Sequence, residues 1–215
     1  MAPSNDNEAL NPGSDSYLTL AAAGMAEIRV QKSRFLAEAA PVDSLPAVRQ
    51  VVAELGRRYH DCRHVCFAWR GGLGRELQET RSDGGEPSGT AGSPILLAIQ
   101  QAELTDCVVV VARYFGGVKL GTGGLARAYG EAAAAALARA PRRTVLLGHE
   151  FAIRFPYSLQ KTLDHLLAQH GGKSVQAEYG EQVQWRIWLP VSTWQDFAVA
   201  VKEATAGEVQ IKAPA

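Results

Sequence analysis

The chain is poor in the residues that mark several protein classes outright. Its 215 residues include 3 cysteines, 2 methionines and 7% aromatics. Three thiols are too few for a disulfide-stapled scaffold, and a chain of this length buries a core without staples. The amino terminus lacks both a basic start and an apolar run, so the expectation is a cytoplasmic chain with Cys62, Cys66 and Cys107 reduced. Long apolar stretches are missing too: the runs over residues 107–112 and 132–138 fall far short of the about 18 residues a membrane span requires, and no membrane partner is expected. Net charge is absent, with 22 Lys plus Arg against 22 Asp plus Glu. What is present, 47% hydrophobic and 20% charged residues, is an ordinary soluble composition for one or two domains.

The zero balance hides a distribution. Residues 17–145 hold 16 Lys plus Arg against 12 Asp plus Glu, and residues 146–215 hold 6 against 7, so the first part is mildly basic. Residues 1–16, rich in Asn, Ser, Asp and Pro, cannot bury enough apolar surface to offset ordering entropy and read as a disordered tail. From Tyr17 onward strands and helices alternate. Ile28 and Val30 pair with residues 35–40 as a hairpin, and Leu45, Val48, Val51, Val52, Leu55 and Tyr59 recur at helical spacing after Asp43 or Ser44 as cap. Residues 63–70 and 77–81 read as strands, and Ser93-Pro94 opens a helix with Ser as cap. The β-branched run 108–111 predicts a central strand covered on both faces. An alanine-rich helix is predicted from about Leu125 to Ala140, with the domain boundary at residues 142–148. Residues 146–215 order as βαββαβ, the ferredoxin-like pattern, ending in a strand over 208–212. The fold class is therefore α+β with two domains, residues 17–145 and 146–215.

Two glycine-rich segments carry the chemistry. In RYFGGVKLGTGGLAR (residues 113–127) glycines join a buried strand to a helix start, where unpaired amides attract anions. Gly121, Thr122, Gly123 and Gly124 form the amide cradle, and Arg113, Lys119 and Arg127 supply point charges; Arg75 and Arg81 are further basic candidates. The segment is not a Walker A loop, because Thr122 stands where that motif needs Lys, and no acid follows about 20 residues on as a dinucleotide fingerprint requires. No cofactor is assigned. In SDGGEPSGTAG (residues 82–92), Asp83 and Glu86 have oxygens for a magnesium ion and Ser88 and Thr90 have hydroxyls, but loop-fixing bonds are the simpler use. His60, Cys62, His64 and Cys66 alternate; on a strand four such residues do not converge on one zinc ion, and no metal is assigned. In the second domain Gln182, Gln184, Arg186 and Trp188 alternate onto the face opposite Val183, Trp185, Ile187 and Leu189, leaving either an interdomain surface or an open sheet face.

The strand HVCFAW (residues 64–69), the segment 82–96 and the segment 113–129 together resemble the IMPACT family in its two-domain bacterial branch. One departure stands out: the family reads Ser-Asp-Asp-Gly-Glu-Pro where Gly84 here replaces the second acid. The resemblance implies a first domain similar to the second domain of ribosomal protein S5 and a ferredoxin-like second domain, as in the last two domains of translation elongation factor G. It also implies translational control, since eukaryotic relatives bind a large ribosome-associated regulator of an initiation-factor kinase. The leading expectation is a non-enzymatic protein that touches RNA or the ribosome through backbone phosphates at residues 113–127. A protein-docking module in translational control and a small-molecule enzyme with a nucleotide-phosphate loop are the alternatives; no triad, metal cage or clear general base favours the last.

Overall fold

A computed structural model describes residues 15–211, and contacts divide them into residues 17–145 and residues 146–211 with 15–16. All but the first residue of β1 (Ser16–Leu20) belongs to the first unit, followed by β2 (Gly24–Val30) and β3 (Ser33–Pro41). The β2–β3 turn places Gln31 at φ 44° and Lys32 at φ 66°, a tight hairpin whose handedness matches strand twist. Next come α1 (Leu45–Arg58), β4 (His64–Gly71), a single 3-10 turn (Gly74–Glu76) and β5 (Gln78–Ser82). They are followed by α2 (Gly92–Gln101), β6 (Cys107–Tyr114), α3 (Gly121–Arg139) and β7 (Arg142–Leu146). Five strands form an antiparallel sheet in the order β2-β3-β6-β4-β5, and β1 pairs with β7.

Period-two alternation sends residues to two cores. Phe35, Cys66, Ala68, Val109 and Val111 face α2 and α3, whereas Trp69, Val108 and Val110 face α1. That is why β6 reads as an unbroken apolar run: it lies in the middle of the sheet with helices on both faces. The alanines of α3 serve proximity. Ala132, Ala133 and Ala136 are fully buried, and a Cβ on Gly24 would overlap the Ala140 amide nitrogen, so small side chains let α3 lie directly on β2.

The second unit comprises β8 (Gly148–Phe155), α4 (Gln160–Gln169), β9 (Lys173–Tyr179), β10 (Val183–Pro190) and α5 (Trp194–Ala204), with sheet order β8-β10-β9. Phe155, Trp185, Ile187 and Phe197 anchor its own core, and Gln184 and Arg186 point to the opposite, exposed side of β10. The layout is the ferredoxin-like one. The strand expected over 208–212 is not formed at residues 208–211, and Lys212 lies outside the described residues. Its place is taken by a turn: Ala206 and Gly207 have φ 47° and 81°, and the Val209 amide donates to Thr205 Oγ1 at 3.2 Å, which spends on a helix terminus a donor that a ladder needs.

Three other expectations are corrected. The α3 helix begins at Gly121 rather than near Leu125, because Gly121 adopts φ 70° and turns the chain into the helix four residues early. Ser93 does not cap α2; the cap position is Ala91, for a reason given below. Residues 142–148, where the boundary is expected, contain β7. Of the expected tail, residues 1–14 lie outside the described residues, while Ser16 opens β1 and the Asp15 carboxylate accepts bonds from the Ser192 amide and hydroxyl. Among the described residues no helix is long and apolar enough to cross a membrane.

Candidate functional site

Strand register builds the site. Arg113, at the end of β6, lies opposite Phe35 of β3 and opposite His64 of β4, so the three form one row on the face toward α2 and α3. Arg113 is 5% exposed. Its guanidinium sits over the Phe35 ring at 5.6 Å and the Phe115 ring at 5.4 Å, and a buried cation there needs a counter-charge. Glu86 provides it: Oε1 accepts from Arg113 Nη1 at 2.7 Å and from the Tyr129 hydroxyl of α3 at 2.8 Å. The two side chains are 6% and 4% exposed. This pair ties the 82–92 segment to the strand and helix that flank the 113–127 segment.

The other groups around Glu86 are equally fixed. His64 Nδ1 lies 3.0 Å from the Gly84 carbonyl oxygen, which can only accept, so Nδ1 carries the proton, and Nε2 lies 4.0 Å from Glu86 Oε1. Cys66 Sγ donates to the Asp83 carbonyl oxygen at 2.9 Å, and burial pushes its thiol up to about 12; such a thiol is not a nucleophile at neutral pH. Gly84 stands at φ 55°, where a Cβ would overlap the Val65 carbonyl oxygen, so the glycine at the departing position lets this loop lie on β4.

A cavity of about 440 Å³ opens above this network. Arg113, Glu86 and His64 line it together with Lys119, Gly121 and Thr122, and Arg63 and Phe115 line it too. The α3 start carries no side-chain cap and no acid in its first turn. Gly121, Thr122 and Gly123 are exposed, their amides precede the first intrahelical bond, and a Cβ on Gly123 would meet nothing within 4 Å. Bare amides at a helix dipole's positive end, with Lys119 beside them, attract anions.

The structure separates the remaining residues named from the sequence. Gly124 is half-buried in the first turn of α3. Arg127 lines a different groove between α2 and α3, with Pro94 and Leu97. Arg75 lies in the 3-10 turn and Arg81 on the edge strand β5, both exposed and outside the cavity. Ser88 is exposed, and Thr90 Oγ1 donates to the Pro87 carbonyl oxygen at 2.7 Å. Asp83 and Glu86 do not converge: the Asp83 carboxylate accepts from the amides of Gly89, Ala91 and Gly92 at 2.9–3.0 Å. Burial alone raises the Asp83 carboxyl, but those amides outweigh it and hold the group below the usual carboxylate range. Asp83 thus caps α2 from outside the helix, which is why Ser93 does not. Among the described residues no three His, Cys, Asp or Glu side chains form a metal cluster. Sequence reasoning missed His64, Arg63, Phe115 and Tyr129 as neighbours of Arg113; only the β3-β6-β4 pairing carries that signal.

The architecture is that of a two-domain α+β protein, an S5-like α/β sandwich followed by a ferredoxin-like unit. The Impact N-terminal domain model matches residues 31–137, and a domain-of-unknown-function model matches residues 153–208. The chain is 33% identical to the Escherichia coli protein called IMPACT family member YigZ over 202 residues, covering 93% of this chain and 98% of that one. It is 31% identical to IMPACT family member YvyE of Bacillus subtilis, covering 92% and 90%. An IMPACT family member of Thermus thermophilus is 43% identical over 161 residues, covering 75% and 86%. A crystal structure titled as that of a hypothetical protein superposes with TM-score 0.66 at 32% identity, covering 94% and 98% of the two chains. The chain belongs to the IMPACT family.

Proposed function

We propose that this IMPACT family protein is a translation-associated binding protein whose α3 corner takes phosphate oxygens of RNA, ribosomal RNA included. The observation that carries the reading is the uncapped start of α3, open to a cavity that also holds Lys119 and the almost fully buried Arg113. Arg113 is already neutralised by Glu86, so its role is to fix the wall, while Lys119, Arg63 and the three free amides supply the positive field. The setting comes from the family resemblance, which implies translational control. Binding of this kind needs no reaction step.

The test is a titration of the full chain with labelled single-stranded RNA at rising salt. Neutralising about three phosphates predicts a log–log slope of roughly −2 for a single strand, so a fourfold rise in salt weakens binding about twentyfold. Lys119→Glu should remove most of that affinity. Affinity that is flat with salt, or indifferent to Lys119→Glu, overturns the reading.

A further inference from the structure

We propose that the groove between α2 and α3 is the contact surface of a symmetric dimer, covered by the same face of a second copy of this chain. A helix on the surface of a protein in water ordinarily carries charge on its outer side. Among the described residues α1, α3, α4 and α5 each do carry charged side chains, whereas α2 (GSPILLAIQQ) has none. Its inner side buries Ile95, Leu96, Ala98 and Ile99, and Leu97 on the outer side is 52% exposed. Leu97, Pro94 and Gln101 line a groove of about 440 Å³, which α3 completes with Ala126, Gly130 and Ala134. A Cβ on Gly130 would meet only Pro94, at 3.8 Å, so the chain's own packing has room for a side chain there and the glycine keeps the groove open.

Charge selects the occupant. This face of α3 carries one cation, Arg127, and one anion, Glu131, a helical turn apart and both exposed. Among the described residues neither is in an ion pair. So balanced a pair gives a polyanion no net attraction, but it is complementary to itself. In a two-fold contact each residue that touches a second one is touched by it in return. With the two α3 helices antiparallel and the axis level with Tyr129, midway between the charges, Arg127 of each copy stands at the height of Glu131 of the other. Two ion pairs then form the polar rim, Leu97 of each copy enters the apolar groove of the other, and Gly130 lets the helices approach closely. The 19 residues of α3 span about 28 Å, and with the shorter α2 beside it the face offers roughly 500 Å² per copy, about 1,000 Å² in all. That is the low end for a specific interface, so the dimer is weak, with a dissociation constant in the micromolar range.

The test is sedimentation equilibrium of the full chain from about 1 to about 200 μM, over which the mass should rise from one copy to two. Leu97→Glu puts a carboxylate into the apolar contact and should weaken association about tenfold or more, with the urea midpoint unchanged because the side chain is half exposed in the single chain. Arg127→Glu sets acid against acid and should weaken association about fivefold, and adding Glu131→Arg to it should restore the wild-type value. A wild type that stays single at every concentration overturns the inference and leaves the groove to a helix of another protein. So does a dimer that Leu97→Glu leaves intact, or one that Arg127→Glu weakens without rescue by Glu131→Arg, since either puts the contact elsewhere. The phosphate reading is decided separately by the RNA titration, because Leu97, Arg127 and Glu131 do not line the α3 cavity.

Discussion

Two helices of the first unit begin beside glycine-rich segments, and their positive ends meet opposite treatment. At α2 the Asp83 carboxylate takes the amides of Gly89, Ala91 and Gly92. At α3 no side chain caps the start and no acid stands in the first turn. Glycine content does not separate the two; the position of one carboxylate does. A helix terminus closed by its own chain is a structural joint, and one left open beside Lys119 is a place for an external anion. Between them runs the Arg113–Glu86 pair, which holds the two segments together.

The largest expected effect comes from cutting that link. Glu86→Ala leaves Arg113 buried without a counter-charge and should cost about 3–5 kcal/mol, read as a lower urea midpoint. A loss under about 1 kcal/mol would mean that Arg113 swings into solvent and that the segments are not coupled. Opening the closed terminus comes next: Asp83→Ala strips the acceptor from three amides and should cost about 2 kcal/mol. If stability is unchanged, the α2 start was never different from the α3 start.

A pH series sharpens the same contrast. The folded Asp83 carboxyl lies below its unfolded value, so its contribution is fully present above the unfolded value, about pH 4. It is lost as pH falls through the lower folded value. Asp83→Asn should flatten that acid branch of the stability curve, and an unaltered branch would assign the acid sensitivity to other carboxylates.

The fold was legible where one residue type repeats. The β-branched run 108–111 marks the central strand because helices cover both faces of β6, and the alanine run marks α3. Element edges were less so, since local rules lost to distant partners. Ser93 is a good cap by composition, yet Asp83, nearer the previous strand, reaches the α2 amides first. The turn after Thr205 likewise withdraws residues 208 and 209 from the expected last strand. Of the site, Arg113, Lys119, Gly121 and Thr122 stand out by spacing and line one cavity, whereas Arg75, Arg81 and Arg127 lie elsewhere. His64 could not be assigned beside them, because its neighbourhood to Arg113 arises from strand order rather than from any local pattern.

The most direct measurement gives α3 the carboxylate that α2 already has. Thr122→Asp places an acid in the first turn of α3, at an exposed position, and should raise stability by about 0.5 kcal/mol through the helix dipole. RNA affinity of the same variant, measured at low salt, should fall by tenfold or more as the anion site is filled from within. A variant that gains stability and still binds RNA as tightly as the wild type would contradict the claim that the open α3 terminus is where this protein meets phosphate.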